Sequence, residues 1–174
     1  WNAYRLLLRF RFLPYLQGGS VGIENASGAF LNLTTNTDQG IMWRAVLEAI
    51  GYDYIYVADM YRNAGCNLDR IVVTEGGSKS SLWNQIKADM LGSEVVTLEN
   101  VEGAVLSDAI LAAYAVGDIH DLKKALLDVV KVKKVYTPNK ENTKFYREMF
   151  KIQQQIIRND MKSVFNQLEK MRSL

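Results

Sequence analysis

Cysteine, histidine and proline are scarce in this chain, and each shortage removes a class of function. The single cysteine, Cys66, has no partner for an intramolecular disulfide and leaves no thiolate cluster for zinc. It reads as a loop cysteine in a reducing cytoplasm. The single histidine, His120, stands beside Asp118 and Asp121 after a helix-ending glycine and reads as a surface residue; a Ser/His/Asp triad would have to be built entirely from it. Two prolines and short loops argue against an internal linker and for one domain. Charge is nearly balanced, at a net +2, with neither a basic run nor a basic patch interleaved with aromatics, so there is no case for nucleic acid or an anionic membrane. Lys131, Lys133 and Lys134 form the densest cluster and read as a solvated face. Long apolar runs are also missing. Tyr4 to Leu16 is broken by Arg5, Arg9 and Arg11, is too short to span a bilayer, and is not followed by a signal-peptide cleavage pattern.

What is present is ordinary globular material: 48% apolar and 23% charged residues over the length of about one domain, enough to bury a core. The chain is arranged around Arg70 to Leu91, RIVVTEGGSKSSLWNQIKADML. An apolar β-branched run (Ile71, Val72, Val73, Thr74) leads into a turn of small residues (Gly76, Gly77, Ser78). Beyond the turn, Leu82, Trp83, Ile86, Met90 and Leu91 recur at the spacing of one helical face. Strand, glycine turn and helix in that order let the backbone approach a ligand closely and offer it the free N–H groups of a helix's first turn, where phosphate is the usual guest. Alone, two glycines after a strand serve geometry as readily as ligand binding.

Around this unit the remaining elements are read from period and punctuation. Tyr4 to Leu16 reads as a strand of a larger sheet with Pro14 at its edge or end, Gln17 to Ser27 as a loop, and Gly28 to Thr34 as a short strand or extended segment. Thr37 or Asp38 suits the N-cap of a long helix reaching about Ala64, with Met42, Val46, Ala49, Ile50, Val57, Met60 and Tyr61 on its apolar side and Gly65 as its stop. The aromatics Trp43, Tyr52, Tyr54, Tyr56 and Tyr61 read as packing rather than a ligand box. Glu94 to Leu98 is a second β-branched run, completing a βαβ unit from Ile71. Gly103 to Val116 reads as a helix whose Ala104, Ala109, Ala112, Ala113 and Ala115 allow close approach of another element, with Asp108 facing water or capping a neighbour rather than acting in catalysis. A short helix over Asp121 to Val130 and an extended VVKVKKVYTP closed by Pro138 follow. In the tail from Asn142 to Leu174, helical spacing of Phe145, Met149, Ile152, Ile156, Met161, Val164, Phe165, Leu168 and Met171 predicts one long or two broken helices packed on the sheet. A coiled-coil helix is the alternative, disfavoured because the e/g charge pattern is not sustained.

The order VTEGGSKSSLWNQIKADMLG, then VVTLENVEGAVLSDAILAAYAVG, resembles the C-terminal domain of the FGGY family of carbohydrate kinases. The residues that carry the likeness are Thr74, Gly76, Gly77, Ser78, Trp83, Gln85, Ala88, Asp89, Leu91 and Gly92, then Glu102, Ala109, Leu111, Ala112 and Gly117. Upstream, Gly28-Ala29-Phe30, Leu33-Thr34 and Arg44-Ala45-x-Leu47-Glu48 are similar too. The likeness runs from about Phe12 to the C-terminus and is nearest in appearance to the xylulokinase-like subgroup. Four places depart from the pattern. Gly18-Gly19-Ser20 replaces a longer Gly-Glu-Arg-x-Pro-like segment, Ser107 replaces a close-packing glycine, Ser78 stands where many relatives have alanine, and Glu75 stands where the first glycine of the turn is common. A carboxylate near phosphate is repulsive unless it points away.

The resemblance implies an α/β chain of the ribonuclease-H-like, actin-type ATPase fold, here incomplete, with a sheet flanked by helices and a helical C-terminal tail. It implies that residues 1–174 are the C-terminal domain of a two-domain sugar kinase whose N-terminal sugar-binding domain lies outside the chain. The implied chemistry moves the γ-phosphoryl of ATP to a hydroxyl of a sugar such as a pentulose. Gly76, Gly77 and Ser78 would lie against the adenosine and phosphates, with Ser81 where some relatives place an adenine-contacting polar residue. Lys79 could neutralise phosphate charge, though a solvent-facing helix start suits it better. Mg2+ would be held mainly by the nucleotide and the other domain. No catalytic residue and no metal ligand is expected here, so the chain alone should not phosphorylate sugar. The implied setting is cytoplasmic, with ATP or ADP as partner and the sugar reached through the other domain, without nucleic acid or membrane, and with a homodimer of the parent left open. Two further classes stand beside this one. A non-catalytic partner-binding module of the same fold would keep the glycine turn for geometry alone. A dinucleotide-dependent oxidoreductase is disfavoured because no G-x-G-x-x-G follows the central strand.

Overall fold

A computed structural model of the chain describes residues 10–19, 23–99 and 103–174. Arg5 and Arg9 of the first apolar stretch, Ser20 of the loop and Glu102 of the family pattern lie outside them. The chain divides into two compact units, residues 1–60 with 144–174, and residues 61–143.

In the first unit, β1 (Arg11–Leu13) pairs antiparallel with β2 (Ala29–Leu31), Phe12 opposite Phe30, and Pro14 ends β1 as expected of a residue without an N–H. Helix α1 (Gln39–Asn63) starts where Asp38 Oδ1 accepts the Ile41 N–H at 2.8 Å, so Asp38 is the cap. Leu13, Tyr15, Ile23 and Ala26 bury themselves against Ile157 and Phe165 of the tail. That tail is two helices, α5 (Lys140–Gln155) and α6 (Lys162–Arg172), separated by a π-helical turn over Ile156–Asp160. The wide turn, marked by the Met161 N–H reaching back to the Ile156 carbonyl at 2.8 Å, absorbs one extra residue between the helices. Ile152, Val164 and Met171 of the expected apolar stripe are exposed, and the buried face is carried by Tyr146, Gln153, Ile157 and Phe165.

Helix α1 turns a different face inward from the one its apolar period predicts. Of the expected set only Ala49 is buried, whereas Val57, Met60 and Tyr61 are exposed and Ala45, Leu47, Glu48, Tyr52, Ile55 and Ala58 form the inner side. The reason is electrostatic. Glu48, 1% exposed, accepts hydrogen bonds at Oε1 from Arg44 Nε and Tyr146 Oη, both at 2.8 Å, and its Oε2 lies 3.5 Å from Arg11 Nη1. A carboxylate can go inside only when its charge is matched, and here two guanidinium groups match it. Of the five aromatics expected to pack, Tyr52 does so fully, stacked on Phe150, while Trp43, Tyr54 and Tyr61 remain exposed.

The second unit holds a three-stranded sheet in the order β3 (Arg70–Val73), β4 (Glu94–Leu98), β5 (Val132–Tyr136). Strands β3 and β4 are parallel, in register Arg70 to Glu94 through Val73 to Thr97, and β5 returns antiparallel on β4 with a bulge at Thr97/Leu98. Parallel neighbours need a crossover, supplied by α2 (Ser81–Leu91). Ala88 of that helix, Val95 and Tyr136 form the packed centre with Val73 at its margin. Helix α3 (Gly103–Ala115) buries only Ile110, and α4 (Leu122–Val129) begins at Asp121, whose Oδ1 accepts the Lys124 N–H at 2.9 Å. Asp108, His120 and Cys66 are exposed, as read from the sequence.

Candidate functional site

The chain leaves β3 through Thr74 and Glu75, makes one tight 3-10 turn over Gly76–Ser78, and enters α2 at Ser80. Ser80 Oγ accepts the Trp83 N–H at 3.2 Å, and Gly92, in the left-handed region at φ 64°, ends the helix. The candidate residues Gly76, Gly77 and Ser78 are thereby brought together on one turn, with Ser81 at the helix start just beyond.

Within the protein the four residues have different roles. A side chain at Gly77 would meet the Trp83 ring at 3.2 Å and press it back by a few tenths of an ångström, so packing favours glycine here. Gly76 has no such neighbour within 4 Å and no positive φ; its bare Cα faces open space. Among the described residues no backbone carbonyl takes up the N–H of Gly76 or Gly77. The left-handed position is taken instead by Glu75, at φ 58° and ψ −156°. That is a region almost reserved for glycine, and another residue there carries strain of about 1–3 kcal/mol. The carbonyl of Glu75 is doubly held, by the Ser78 N–H at 3.1 Å and Ser78 Oγ at 2.8 Å. Ser78 therefore turns its hydroxyl into the turn rather than outward. Ser81 is exposed, and its Oγ accepts from Tyr136 Oη at 3.1 Å. Lys79 faces solvent.

Two polar residues of α2, which sequence reading passed over, hold the turn from beneath. Asn84 Nδ2 donates to the Ser78 carbonyl at 2.7 Å, and Lys87 Nζ donates to the Gly77 carbonyl at 2.8 Å. Asn84 is 0% and Lys87 4% exposed. The Lys87 ammonium also lies 3.9 Å from the centre of the Trp83 ring. Burial pushes its pKa down from the ordinary lysine value to about 8. The available signal was their spacing, three apart on a helix whose interior face was read from apolar residues alone; Leu82, expected on that face, is exposed.

Gln85 and Asp89 perform a separate task, anchoring α2 to the segment 137–142 within the second unit. Asp89 Oδ1 accepts from the Asn139 N–H at 2.9 Å and from Gln85 Nε2 at 2.8 Å, Asp89 Oδ2 accepts from Asn142 Nδ2 at 2.8 Å, and Gln85 Nε2 also reaches the Thr137 carbonyl at 2.9 Å. No group of three or more His, Cys, Asp or Glu side chains among the described residues could hold a metal ion, and no helix among them is long and apolar enough to cross a membrane. In the first unit, an apolar groove of about 590 Å³ is lined by Phe30, Gln39, Gly40, Met42, Trp43 and Val46.

A parallel pair of strands, joined through a glycine turn and a helix capped directly after it, is a βαβ crossover of an α/β chain. Residues 7–116 match the FGGY family of carbohydrate kinases, C-terminal domain, and the chain belongs to that family. It is 31% identical over 147 residues to a xylulose kinase of Staphylococcus epidermidis, covering 83% of this chain and 30% of that protein. It is 33% identical over 144 residues to a gluconokinase of Bacillus subtilis, covering 81% of this chain and 28% of the relative. Among solved structures, the ligand-bound xylulose kinase from Lactobacillus acidophilus superposes with a TM-score of 0.77 at 28% identity, over 93% of this chain and 33% of the other. The glycerol kinase of Plasmodium falciparum, solved with ADP, shares the fold at a TM-score of 0.69 and 18% identity. The fold is thus the ribonuclease-H-like, actin-type ATPase fold, and the chain is xylulokinase-like. It spans about 30% of the length of the curated relatives it matches.

Proposed function

We propose that this chain is the nucleotide-side part of an ATP-dependent sugar kinase, one that moves the γ-phosphoryl of ATP to a hydroxyl of a pentulose such as xylulose. Gly76 and Gly77 receive the nucleotide through their backbone N–H groups, Ser78 closes the turn beneath it, and Ser81 faces the adenine side. The observation that carries this reading is Gly76: a glycine that, among the described residues, neither conformation nor packing requires, its Cα open beside N–H groups that meet no described backbone acceptor. Mg2+ travels with the nucleotide and with parts of the parent beyond this chain, since phosphoryl transfer needs charge neutralisation that these residues do not supply. The attacking hydroxyl, its base and the sugar pocket likewise belong to the rest of the parent. The protein acts in the cytoplasm, where ATP and sugars meet and where an exposed free cysteine such as Cys66 stays reduced.

A second reading is favoured by Glu75 and the serines. A strained carboxylate beside the turn, and hydroxyls of Ser78 and Ser81 already bonded within the protein, suit a partner-binding module that kept the fold without the nucleotide. Titrating the chain with ADP by calorimetry separates the two. The kinase reading expects ADP binding without any phosphorylation of xylulose by the chain alone; no heat of binding across the millimolar range would favour the partner-binding module.

A further inference from the structure

Lys87 presents an unbalanced charge. The ammonium is almost fully buried, yet its contacts are the Gly77 carbonyl at 2.8 Å, the Asn84 Oδ1 at 3.4 Å and the face of Trp83 at 3.9 Å. No carboxylate pairs with it among the described residues, although elsewhere in the chain a buried charge is matched by opposite charges. Carbonyl and ring contacts orient an ammonium but do not neutralise it, and a buried charge without a counter-ion carries a heavy desolvation cost. The cation sits against the turn whose Gly76 and Gly77 N–H groups meet no backbone acceptor among the described residues and whose Gly76 Cα has nothing beside it within 4 Å.

Resting on the nucleotide reading above, we infer that Lys87 is a positioning residue for the phosphates, holding the Gly77 carbonyl inward and supplying the positive charge that an anionic ligand at the turn completes. In the low-dielectric packing behind the turn this charge is weakly screened and acts on a phosphate without touching it. Because the Lys87 N–H fixes the Gly77 peptide from below, the same side chain sets both the shape and the field of the turn. A purely structural lysine would set the shape only. Adenosine, which carries no phosphate, therefore gains nothing from the charge, whereas ADP does.

The test is to measure ADP and adenosine affinity for the chain in three forms: wild type, Lys87→Gln, which keeps a donor for Gly77 without charge, and Lys87→Met, which keeps the stem against Trp83. Methionine removes the desolvation cost of an unmatched buried charge while its stem keeps the packing on Trp83, so the methionine variant should fold even if the glutamine variant does not. The expected result is a loss of about tenfold or more in ADP affinity for each folded variant, as for a charge-assisted contact, with adenosine affinity unchanged within about twofold in Lys87→Gln and lowered less than ADP affinity in Lys87→Met, which also gives up the bond to Gly77. ADP binding that either variant retains, or a parallel loss of ADP and adenosine, overturns the role of Lys87 while leaving the nucleotide reading intact. Failure of the wild-type chain to bind ADP overturns both.

Discussion

The two units each bury charge, and they treat it in opposite ways. In the first, Glu48 draws Arg44, Arg11 and Tyr146 around itself, and its two carboxylate oxygens are both engaged. In the second, Lys87 is buried as deeply but has only carbonyl and aromatic contacts. A charge-matched network of this kind ties together residues far apart in sequence and fixes which face of α1 turns inward. An open one costs stability, and such a cost is tolerated where function uses it. The difference separates a charge kept for architecture from a charge kept beside a ligand turn.

The sharpest way to break the comparison is Glu48→Ala. It leaves the buried Arg11 without its counter-charge and should remove about 3 kcal/mol of stability or more, measured by urea unfolding, the largest effect expected of any of these substitutions. Removing the unmatched charge should do the reverse: Lys87→Met is expected to gain about 1–2 kcal/mol at pH 7 in the same assay. That gain has a pH signature. The folded Lys87 loses its proton near pH 8 while the unfolded lysine holds it until about pH 10.4, so the unfolded chain binds more protons in between and wild-type stability rises with pH there. The advantage of Lys87→Met should therefore be complete below pH 8 and shrink as the pH approaches 10. A constant difference across that range would show that Lys87 is not a buried cation.

Smaller effects sharpen the picture at the turn. Glu75→Gly relieves a left-handed residue and should stabilise the chain by about 1 kcal/mol, whereas Glu75→Ala, which keeps the Cβ, should not; thermal melting of the pair checks it. Smallest of all is Arg70→Ala. Arg70 Nη2 meets Glu94 Oε2 at 2.8 Å across β3 and β4, but both groups are solvated, so the loss should stay within about 1 kcal/mol and fade with added salt.

Much of the second unit was legible in the sequence because its signals are local. The β-branched runs at Ile71 and Glu94 became parallel strands, and the helical period from Leu82 to Leu91 became α2, since period and punctuation depend on neighbours. The antiparallel return of β5 was visible only as an extended stretch, because pairing depends on a partner far away in sequence, such as Val95 for Tyr136. The inner face of α1 was not legible at all. Its choice rests on Glu48 meeting a tyrosine near the other end of the chain, and a charged residue read alone is assigned to solvent. Lys87 and Asn84 were missed for the same reason. At Glu75 the sequence showed a departure from the common glycine, but only the backbone reveals that the acidic residue took over the glycine's conformation.

The central claim is that the turn at Gly76 is shaped for a ligand rather than for the fold, and Gly76→Asp tests it most directly. The added side chain enters open space, so melting temperature should hold to within what about 0.5 kcal/mol allows, while its bulk and negative charge fall where the phosphates would lie. The account predicts unchanged stability with ADP affinity reduced at least about tenfold, read by calorimetric titration against wild type. ADP bound equally well by Gly76→Asp, or a variant that unfolds, would contradict it.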